Sequence, residues 1–149
     1  MPSSDVKEVR NIAILSHGAA GKTSLADAIL YAAGAIELPA SVDAGNSVFM
    51  HEPEEIARKI TITASVGFAD WKGVRINLID TPGYINFLEE TKGTLRAVDG
   101  AILIISAISG VKAETERGAA HAARDEHYGM VGGRTDVTTH EYVVVPGGD

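Results

Sequence analysis

Apolar residues near the start of the chain change from a strand-like run to helical spacing. Residues 11–15 form an apolar run of strand length, and the apolar positions that follow recur three or four residues apart. Gly34 lies where a helix of this length commonly ends. The pattern therefore predicts a strand and a helix joined by a short loop. The helical stripe consists of Leu25, Ala28, Ile29 and Ala32.

Two alternating segments in the middle of the chain predict an antiparallel hairpin. Residues 60–68 place apolar residues at even positions and small or polar residues at odd positions, and residues 74–79 resume the alternation. Lys72 and Gly73 supply the turn between the two segments.

A second helix and a buried strand are predicted next. Phe87, Leu95 and Val98 favour a helix over residues 85–99, which Gly93 weakens. Residues 101–105 are continuously apolar, as is typical of a parallel strand that is buried on both faces. The alternation of strands and helices predicts an α/β fold. We expect three layers, a mostly parallel sheet with one antiparallel edge hairpin, and right-handed crossovers.

Residues 35–60 have no clear periodicity and predict a long mobile loop. Loops of this length in compact domains are usually functional or disordered, and a position shortly after the first helix favours function. The acidic residues Glu52, Glu54 and Glu55 are expected to form a solvated face of this loop.

The last part of the chain differs in character from the rest. Residues 111–128 predict one further helix, and residues 136–145 predict a last strand that ends before Pro146. Because glycine and histidine become frequent, we divide the chain into residues 1–116 and an atypical tail, residues 117–149. His121, Asp125 and His127 do not form a metal site in this interpretation, because the two histidines do not share a helical face.

Composition narrows the possible functions. The chain has 149 residues, a net charge of −7 and no cysteine. This length predicts one domain with a substantial core, and the acidic surface argues against direct DNA binding. Residues 100–108 are too short to span a bilayer, so no membrane contact is expected. The absence of cysteine fits a reducing compartment, for which the cytoplasm is the default.

The loop between the first strand and the first helix has the spacing of a phosphate-binding loop. A small residue, Ser16, precedes four residues and then Gly21-Lys22-Thr23, with Ser16 in place of the more common glycine. Backbone N–H groups of such a loop and the helix N-terminus cradle phosphates. The predicted binding residues are His17, Gly18, Ala19, Ala20, Gly21, Lys22, Thr23 and Ser24.

Two further segments are predicted to meet this loop, because parallel strands bring their carboxyl ends to one edge of the sheet. Asp80 ends the second strand of the hairpin, and Thr61 starts its first strand, which is predicted over residues 61–71. In this arrangement Lys22 neutralises phosphate charge, the Thr23 hydroxyl and Asp80 hold Mg²⁺, and the N–H of Gly83 approaches a γ-phosphate.

Three ordered motifs resemble the GTPase domain of bacterial elongation factor G and its relatives among translational GTPases. They are residues 16–24, residues 58–63 and residues 80–84, and the likeness covers residues 10–116, after which the chain is interpreted as truncated or rearranged. The resemblance implies a P-loop NTPase fold, GTP and GDP as ligands, Mg²⁺ and the ribosome as a partner. It also implies that Thr61 contacts Mg²⁺ and the γ-phosphate from switch I, residues 35–60, and that residues 81–99 are switch II.

The chain departs from the family pattern at four places. Tyr84 replaces a histidine that helps to place the attacking water, which implies slow or altered hydrolysis through a hydrogen-bonding phenol. Ala19 stands where aspartate is common, and Lys59 where glycine is usual. No Asn-Lys-x-Asp motif occurs in the sequence, so guanine specificity is implied by the resemblance alone.

Three functions are compatible with these residues. The favoured one is Mg²⁺-dependent GTP hydrolysis as the GTPase domain of a translation factor, with Lys22, Thr61, Gly83 and Tyr84 as the catalytic set and Thr23, Thr61 and Asp80 as the metal ligands. The second is a non-catalytic interaction module that binds nucleotide weakly or binds only phosphate. The third is a phosphate-loop protein that uses ATP. His17 is expected to orient the loop and not to take part in catalysis.

Overall fold

The computed structural model describes residues 8–124, 129–134 and 140–141. Six strands of these residues form one sheet with the order β2-β3-β1-β4-β5-β6, in which β3, β1, β4 and β5 are parallel. The edge strands β2 and β6 are antiparallel to their neighbours. The predicted α/β fold with a mostly parallel sheet and an antiparallel edge hairpin is confirmed. The strands are β1 (Val9–Leu15), β2 (Ser65–Trp71), β3 (Val74–Asp80), β4 (Gly100–Ser106), β5 (Gly129–Arg134) and β6 (His140–Glu141).

Helices cover both faces of the sheet. Ala26 and Leu30 of α1 pack with Ile14 on one face, while Leu95 of α3 and Ala122 of α4 pack on the opposite face. The two hydrophobic clusters take alternate residues of β1, so this strand is buried from both sides as a central parallel strand should be. The helices among the described residues are α1 (Lys22–Ala32), α2 (Pro53–Arg58), α3 (Leu88–Leu95) and α4 (Ala113–Arg124), with a 3₁₀ turn at Ile85–Phe87.

The buried stripe of α1 is displaced by one position from the predicted one. Ala28 and Ala32 are exposed, whereas Ala26 and Leu30 are buried. The shift brings the polar residues Lys22, Thr23 and Asp27 to the buried face as well. A helix that begins at a binding loop buries polar groups, and this conceals its inner face from an analysis of apolar spacing.

Strand β2 of the hairpin begins at Ser65 and not at Thr61 as predicted, and it keeps the predicted alternation with its apolar face outside. Val66 and Phe68 are 62% and 57% exposed, while Ser65, Gly67 and Ala69 are buried. Small residues are needed on the inner face because Phe49 lies against it. A Cβ added to Gly67 would lie 2.7 Å from the Phe49 ring.

The segment predicted as a long loop contains a helix and a core residue. Pro53 opens α2, and Phe49 is fully buried in the same cluster as Ile14 and Leu30. The expectation of an irregular loop throughout residues 35–60 is therefore wrong for residues 53–58.

The structure continues beyond residue 116 without a break up to residue 124. Helix α4 crosses that position, and β5, which the sequence pattern did not predict, pairs with β4. The predicted last strand over residues 136–145 lies mostly outside the described residues. The described part of it is β6. The division of the chain at residue 116 stays a prediction.

The described residues contain neither a membrane-spanning helix nor a cluster of acidic and histidine side chains that could hold a metal ion. No helix among them is both long and apolar enough to cross a membrane. No cluster of three or more histidine, aspartate or glutamate side chains that could hold a metal ion occurs in the same part of the chain, and Asp125 and His127 lie outside it.

Substitution of Gly67 tests the packing of the edge strand. Gly67→Ala should lower the free energy of unfolding by about 1–3 kcal/mol, because the new methyl group overlaps Phe49 and Leu30. Gly93→Ala in α3 is the matched control, since nothing lies within 4 Å of its added Cβ. It should raise stability by about 0.5–1 kcal/mol through helix propensity. Urea denaturation measures both, and equal stabilities for the two variants would contradict this packing.

Candidate functional site

The loop between β1 and α1 curls tightly at the carboxyl edge of the sheet. Gly21 has φ 96°, which favours glycine, whereas Ala19 has φ 61° and adopts the left-handed region with a side chain. Lys22 begins α1 directly after Gly21. The predicted strand, loop and helix therefore join as a phosphate-binding loop requires.

The loop wraps around the side chain of Lys22. The Lys22 Nζ donates hydrogen bonds to the carbonyl oxygen of His17 at 2.8 Å and to that of Ser16 at 3.4 Å. Burial lowers the pKa of Lys22 to about 8, although the charge of Asp80 opposes this shift. Lys22 thus remains mostly charged at neutral pH and lies within the loop that would receive an anion.

Two threonine hydroxyls meet on the carboxylate of Asp80. Thr23 Oγ1 donates to Asp80 Oδ2 at 2.6 Å, and Thr61 Oγ1 donates to the same oxygen at 3.1 Å. The two hydroxyl oxygens are themselves 3.1 Å apart. Helix α1, the segment before β2 and the end of β3 are therefore joined at one buried point, as the sequence predicted.

This oxygen cluster fits a small divalent cation. Mg²⁺ prefers oxygen ligands, and one or two carboxylates with further hydroxyl, water or phosphate oxygens complete its shell. Asp80 Oδ1 is buried and has no hydrogen-bond partner among the described residues. Burial also raises the pKa of Asp80 to about 6, against the hydrogen bond from Thr23 and the charge of Lys22. A bound cation would satisfy the free oxygen and stabilise the charged carboxylate.

Gly83 and Tyr84 lie directly against the loop. A Cβ on Gly83 would overlap the Lys22 Nζ and lie 2.6 Å from the backbone of His17, so only glycine fits. The ring of Tyr84 covers Gly18, where an added Cβ would approach it to 2.5 Å. The segment after β3 is thereby packed against the predicted phosphate site.

These elements enclose a cavity of about 200 Å³. The side chain of Ala20 is buried in the hydrophobic core, and that of His17 turns to Thr115 on α4, with Nδ1 and Oγ1 3.0 Å apart. Any contact of these two residues with a ligand would use their backbone. The lining consists of Gly18, Ala19, Gly21, Lys22, Thr23, Ser24, Val42, Asp43, Lys59, Ile60, Thr61, Gly83 and Tyr84.

His17 remains within the loop as a neutral anchor. Burial lowers its pKa, and the nearby charges of Lys112 and Lys22 lower it further. Its contact with Thr115 links the loop to α4 across the sheet edge. This position agrees with the expected role of His17 in orienting the loop.

Glu55 is a structural residue that sequence reasoning missed. It is fully buried, so its expected place on a solvated face is wrong. Its carboxylate accepts hydrogen bonds from the backbone N–H groups of four residues, at distances of 2.9–3.2 Å. The donors are His51, Glu52, Ile62 and Thr63. Burial alone raises the pKa of Glu55, but these bonds outweigh it and bring the pKa below its ordinary value. The signal that was available is Pro53 opening a helix directly after Glu52, with Glu55 three residues beyond that Glu52 cap.

Asp27 holds the part of the segment between α1 and β2 that lies around Val48. Its Oδ1 accepts a hydrogen bond from the N–H of Val48 at 3.1 Å, next to the buried Phe49. Burial raises the pKa of Asp27, while hydrogen bonds from Ser47 and Val48 act in the opposite direction. Asp27 therefore attaches the segment that carries Thr61 to α1, while Glu55 joins the residues before α2 to those after it.

Lys59 adopts a backbone conformation suited to glycine. It ends α2 with φ 56° and ψ 41°, in the left-handed region. This explains why glycine is usual at the corresponding place in the resembled family, because glycine adopts that region without steric cost.

A family model and two curated relatives that match this chain are those of elongation factors. The model of the elongation factor Tu GTP binding domain matches residues 7–131. Elongation factor G 2 of Borreliella burgdorferi is 42% identical over 108 residues, which are 72% of this chain and 16% of that protein. Elongation factor G of Thermotoga maritima is 42% identical over 112 residues, 75% of this chain and 16% of that protein. A solved structure from Thermus thermophilus aligns with a TM-score of 0.78 and 35% identity, over 83% of this chain and 19% of that one.

Replacement of Glu55 by glutamine tests how the segment before β2 is held. Glu55→Gln should lower the free energy of unfolding at pH 7 by about 2–4 kcal/mol, since an amide cannot accept all these bonds. The folded pKa lies below the reference value of 4.5, so the carboxylate stabilises the fold above that pH and loses its effect as pH falls through the folded pKa. The difference in free energy of unfolding between Glu55→Gln and the parent should therefore become smaller at acid pH.

The matched control is Glu54→Gln. Glu54 is the neighbouring carboxylate and forms an exposed ion pair with Arg58. Its loss should change stability by less than about 0.5 kcal/mol. Urea denaturation at neutral and acid pH measures both variants, and a Glu55→Gln effect as small as that of Glu54→Gln would show that Glu55 does not hold the segment.

Proposed function

The chain belongs to the elongation factor Tu GTP-binding domain family, and on this basis we propose that it binds GTP and GDP with Mg²⁺ and hydrolyses GTP. The observation that carries the proposal is the meeting of the Thr23 and Thr61 hydroxyls on Asp80, next to the buried Lys22. A cation-binding oxygen cluster beside a phosphate loop is the arrangement that phosphoryl transfer requires.

Each residue has a defined task in this proposal. Backbone N–H groups of residues 17–24 and the ammonium of Lys22 bind the phosphates, and Thr23, Thr61 and Asp80 hold Mg²⁺. The bound cation supplies charge neutralisation for the phosphates. Thr61 and Gly83 both line the cavity, where each would contact the γ-phosphate. The chain thus contributes positioning and electrostatic stabilisation, which account for most of the catalysis in this reaction class.

Tyr84 is the proposed holder of the attacking water. Its ring covers Gly18 at the edge of the cavity, and it is partly exposed. A phenol donates and accepts hydrogen bonds but is a poor base at neutral pH. We therefore propose slow intrinsic hydrolysis, with the water oriented by the hydroxyl.

The biological role is inferred from the family. The chain spans only about a sixth of the length of the curated relatives it matches. A role on the ribosome as the GTPase domain of an elongation factor G-like protein, guanine specificity, a cytoplasmic location and the division into residues 1–116 and 117–149 are all part of this proposal. A non-catalytic nucleotide-binding module is the second candidate, favoured by Tyr84 and by the absence of Asn-Lys-x-Asp from the sequence.

Nucleotide titration tests the binding function directly. Fluorescent GTP with Mg²⁺ should bind the purified chain saturably and should be displaced by GDP and not by ATP. Lys22→Ala should abolish this binding because it removes the buried ammonium from the phosphate loop. Lys72→Ala, an exposed lysine in the hairpin turn, should leave it unchanged. Displacement by ATP would support the adenine alternative, and the absence of binding at high micromolar GTP would refute the proposal for this chain.

Substitution of Tyr84 separates hydrolysis from binding. Tyr84→Phe keeps the ring over Gly18 and removes the hydroxyl, so GTP affinity should stay within about twofold while the single-turnover rate falls at least about tenfold. Phosphate release under single-turnover conditions measures the rate. If hydrolysis by Tyr84→Phe equals that of the parent, the hydroxyl does not place the water; if the parent shows no hydrolysis, the non-catalytic candidate is favoured.

A further inference from the structure

Lys59 lines the cavity together with residues of the phosphate loop, and its side chain is half-exposed. Its Nζ donates a hydrogen bond to the backbone carbonyl of Asp43 at 3.3 Å and lies 3.5 Å from the Asp43 carboxylate. Both residues line the cavity, together with Val42 and Ile60. The pair thus connects the end of α2 with the loop around residue 43 at the edge of the predicted nucleotide site.

Stability does not account for a lysine at this position. A residue with a side chain is sterically strained in the left-handed region, and glycine avoids that strain. The ion pair adds little stability, because Lys59 and Asp43 are 52% and 91% exposed and water screens exposed pairs. Backbone strain beside a ligand cavity that local contacts do not offset points to a function of the side chain there.

The charge of the cavity indicates what that function is. Among the lining residues, all of which belong to the described part of the chain, the lysines are Lys22 and Lys59 and the carboxylate is Asp43. Lys22 is buried and held by the loop, whereas Lys59 carries its ammonium on a flexible four-carbon stem at the exposed rim. Asp43 keeps this ammonium near the cavity and competes with any anion that enters.

We propose that Lys59 is a second cation for the nucleotide polyphosphate, which it binds in exchange for Asp43, and that it favours the triphosphate over the diphosphate. The inference rests on the nucleotide binding proposed above. A triphosphate carries more negative charge than a diphosphate, so a further ammonium at the cavity stabilises it more. Lys59 is then a specificity-determining residue for the nucleotide state.

The test compares two lysines with the same backbone conformation. Lys59 has φ 56° and Lys72, in the hairpin turn away from the cavity, has φ 49°. Lys59→Gln and Lys72→Gln each remove one charge and keep a Cβ in the left-handed region. Affinities for a non-hydrolysable GTP analogue and for GDP are measured by titration in Mg²⁺, at low and at high salt.

Lys59→Gln should bind the analogue about five- to tenfold more weakly and GDP less than about twofold more weakly. The loss of affinity of Lys59→Gln for the analogue should become smaller at high salt, because salt screens the exposed contact between Lys59 and the polyphosphate. Lys59→Arg should restore the preference to within about twofold, and Lys72→Gln should match the parent. Asp43→Asn should bind the analogue more tightly, and this gain should be absent when Lys59 is also glutamine.

Three results would overturn the inference. Parent-like affinity of Lys59→Gln for the analogue would show that the ammonium does not contact the polyphosphate. Equal losses for the analogue and GDP would show a role in holding the loop. In either case the binding function stands as long as the parent chain binds GTP. If the parent chain binds no guanine nucleotide, the proposed function and this inference fail together.

Discussion

The need to satisfy the buried carboxylate of Asp80 brings together the parts of the chain on which the site depends. Asp80 ends β3 inside the molecule, and its partners Thr23 and Thr61 lie 57 and 19 residues away in the sequence. A buried charge is costly without hydrogen bonds, so helix α1 and the segment before β2 are both drawn to it. One of its oxygens still has no partner among the described residues. The same carboxylate that organises the fold therefore leaves a position that a cation can complete.

The segment between α1 and β2 is also held by hydrogen bonds to buried carboxylates, here from its backbone N–H groups. It contains little regular structure, yet Phe49 inserts into the core, Asp27 accepts the N–H of Val48, and Glu55 accepts four backbone N–H groups. Irregular backbone can be fixed when a few buried side chains satisfy its polar groups. In this chain three buried side chains, Asp27, Phe49 and Glu55, fix the segment in this way.

Strained backbone in this chain has to be judged by its surroundings. Among the described residues, the non-glycine residues with positive φ are Ala19, Lys59 and Lys72. Lys72 lies in the hairpin turn, where such angles are ordinary and suit the twist of the strands. Ala19 and Lys59 line the cavity instead. The steric cost is similar at each position, so their place at the cavity is what distinguishes Ala19 and Lys59 from Lys72.

The α/β fold, the edge hairpin, the strand–loop–helix unit of β1 and α1 and the meeting of Thr23, Thr61 and Asp80 could all be predicted from the sequence. These features follow from apolar periodicity, from the spacing of the loop and from the rule that parallel strands end at one edge. Three burial features emerge only from the folded chain: Ala26 and not Ala28 is buried, Gly67 faces the core while Phe68 faces outward, and Glu55 is internal. Burial of this kind depends on what a distant part of the chain brings opposite, such as Phe49 against Gly67 or the N–H groups of residues 62 and 63 against Glu55. Local patterns carry no record of those partners, because the contacts exist only once the chain has folded.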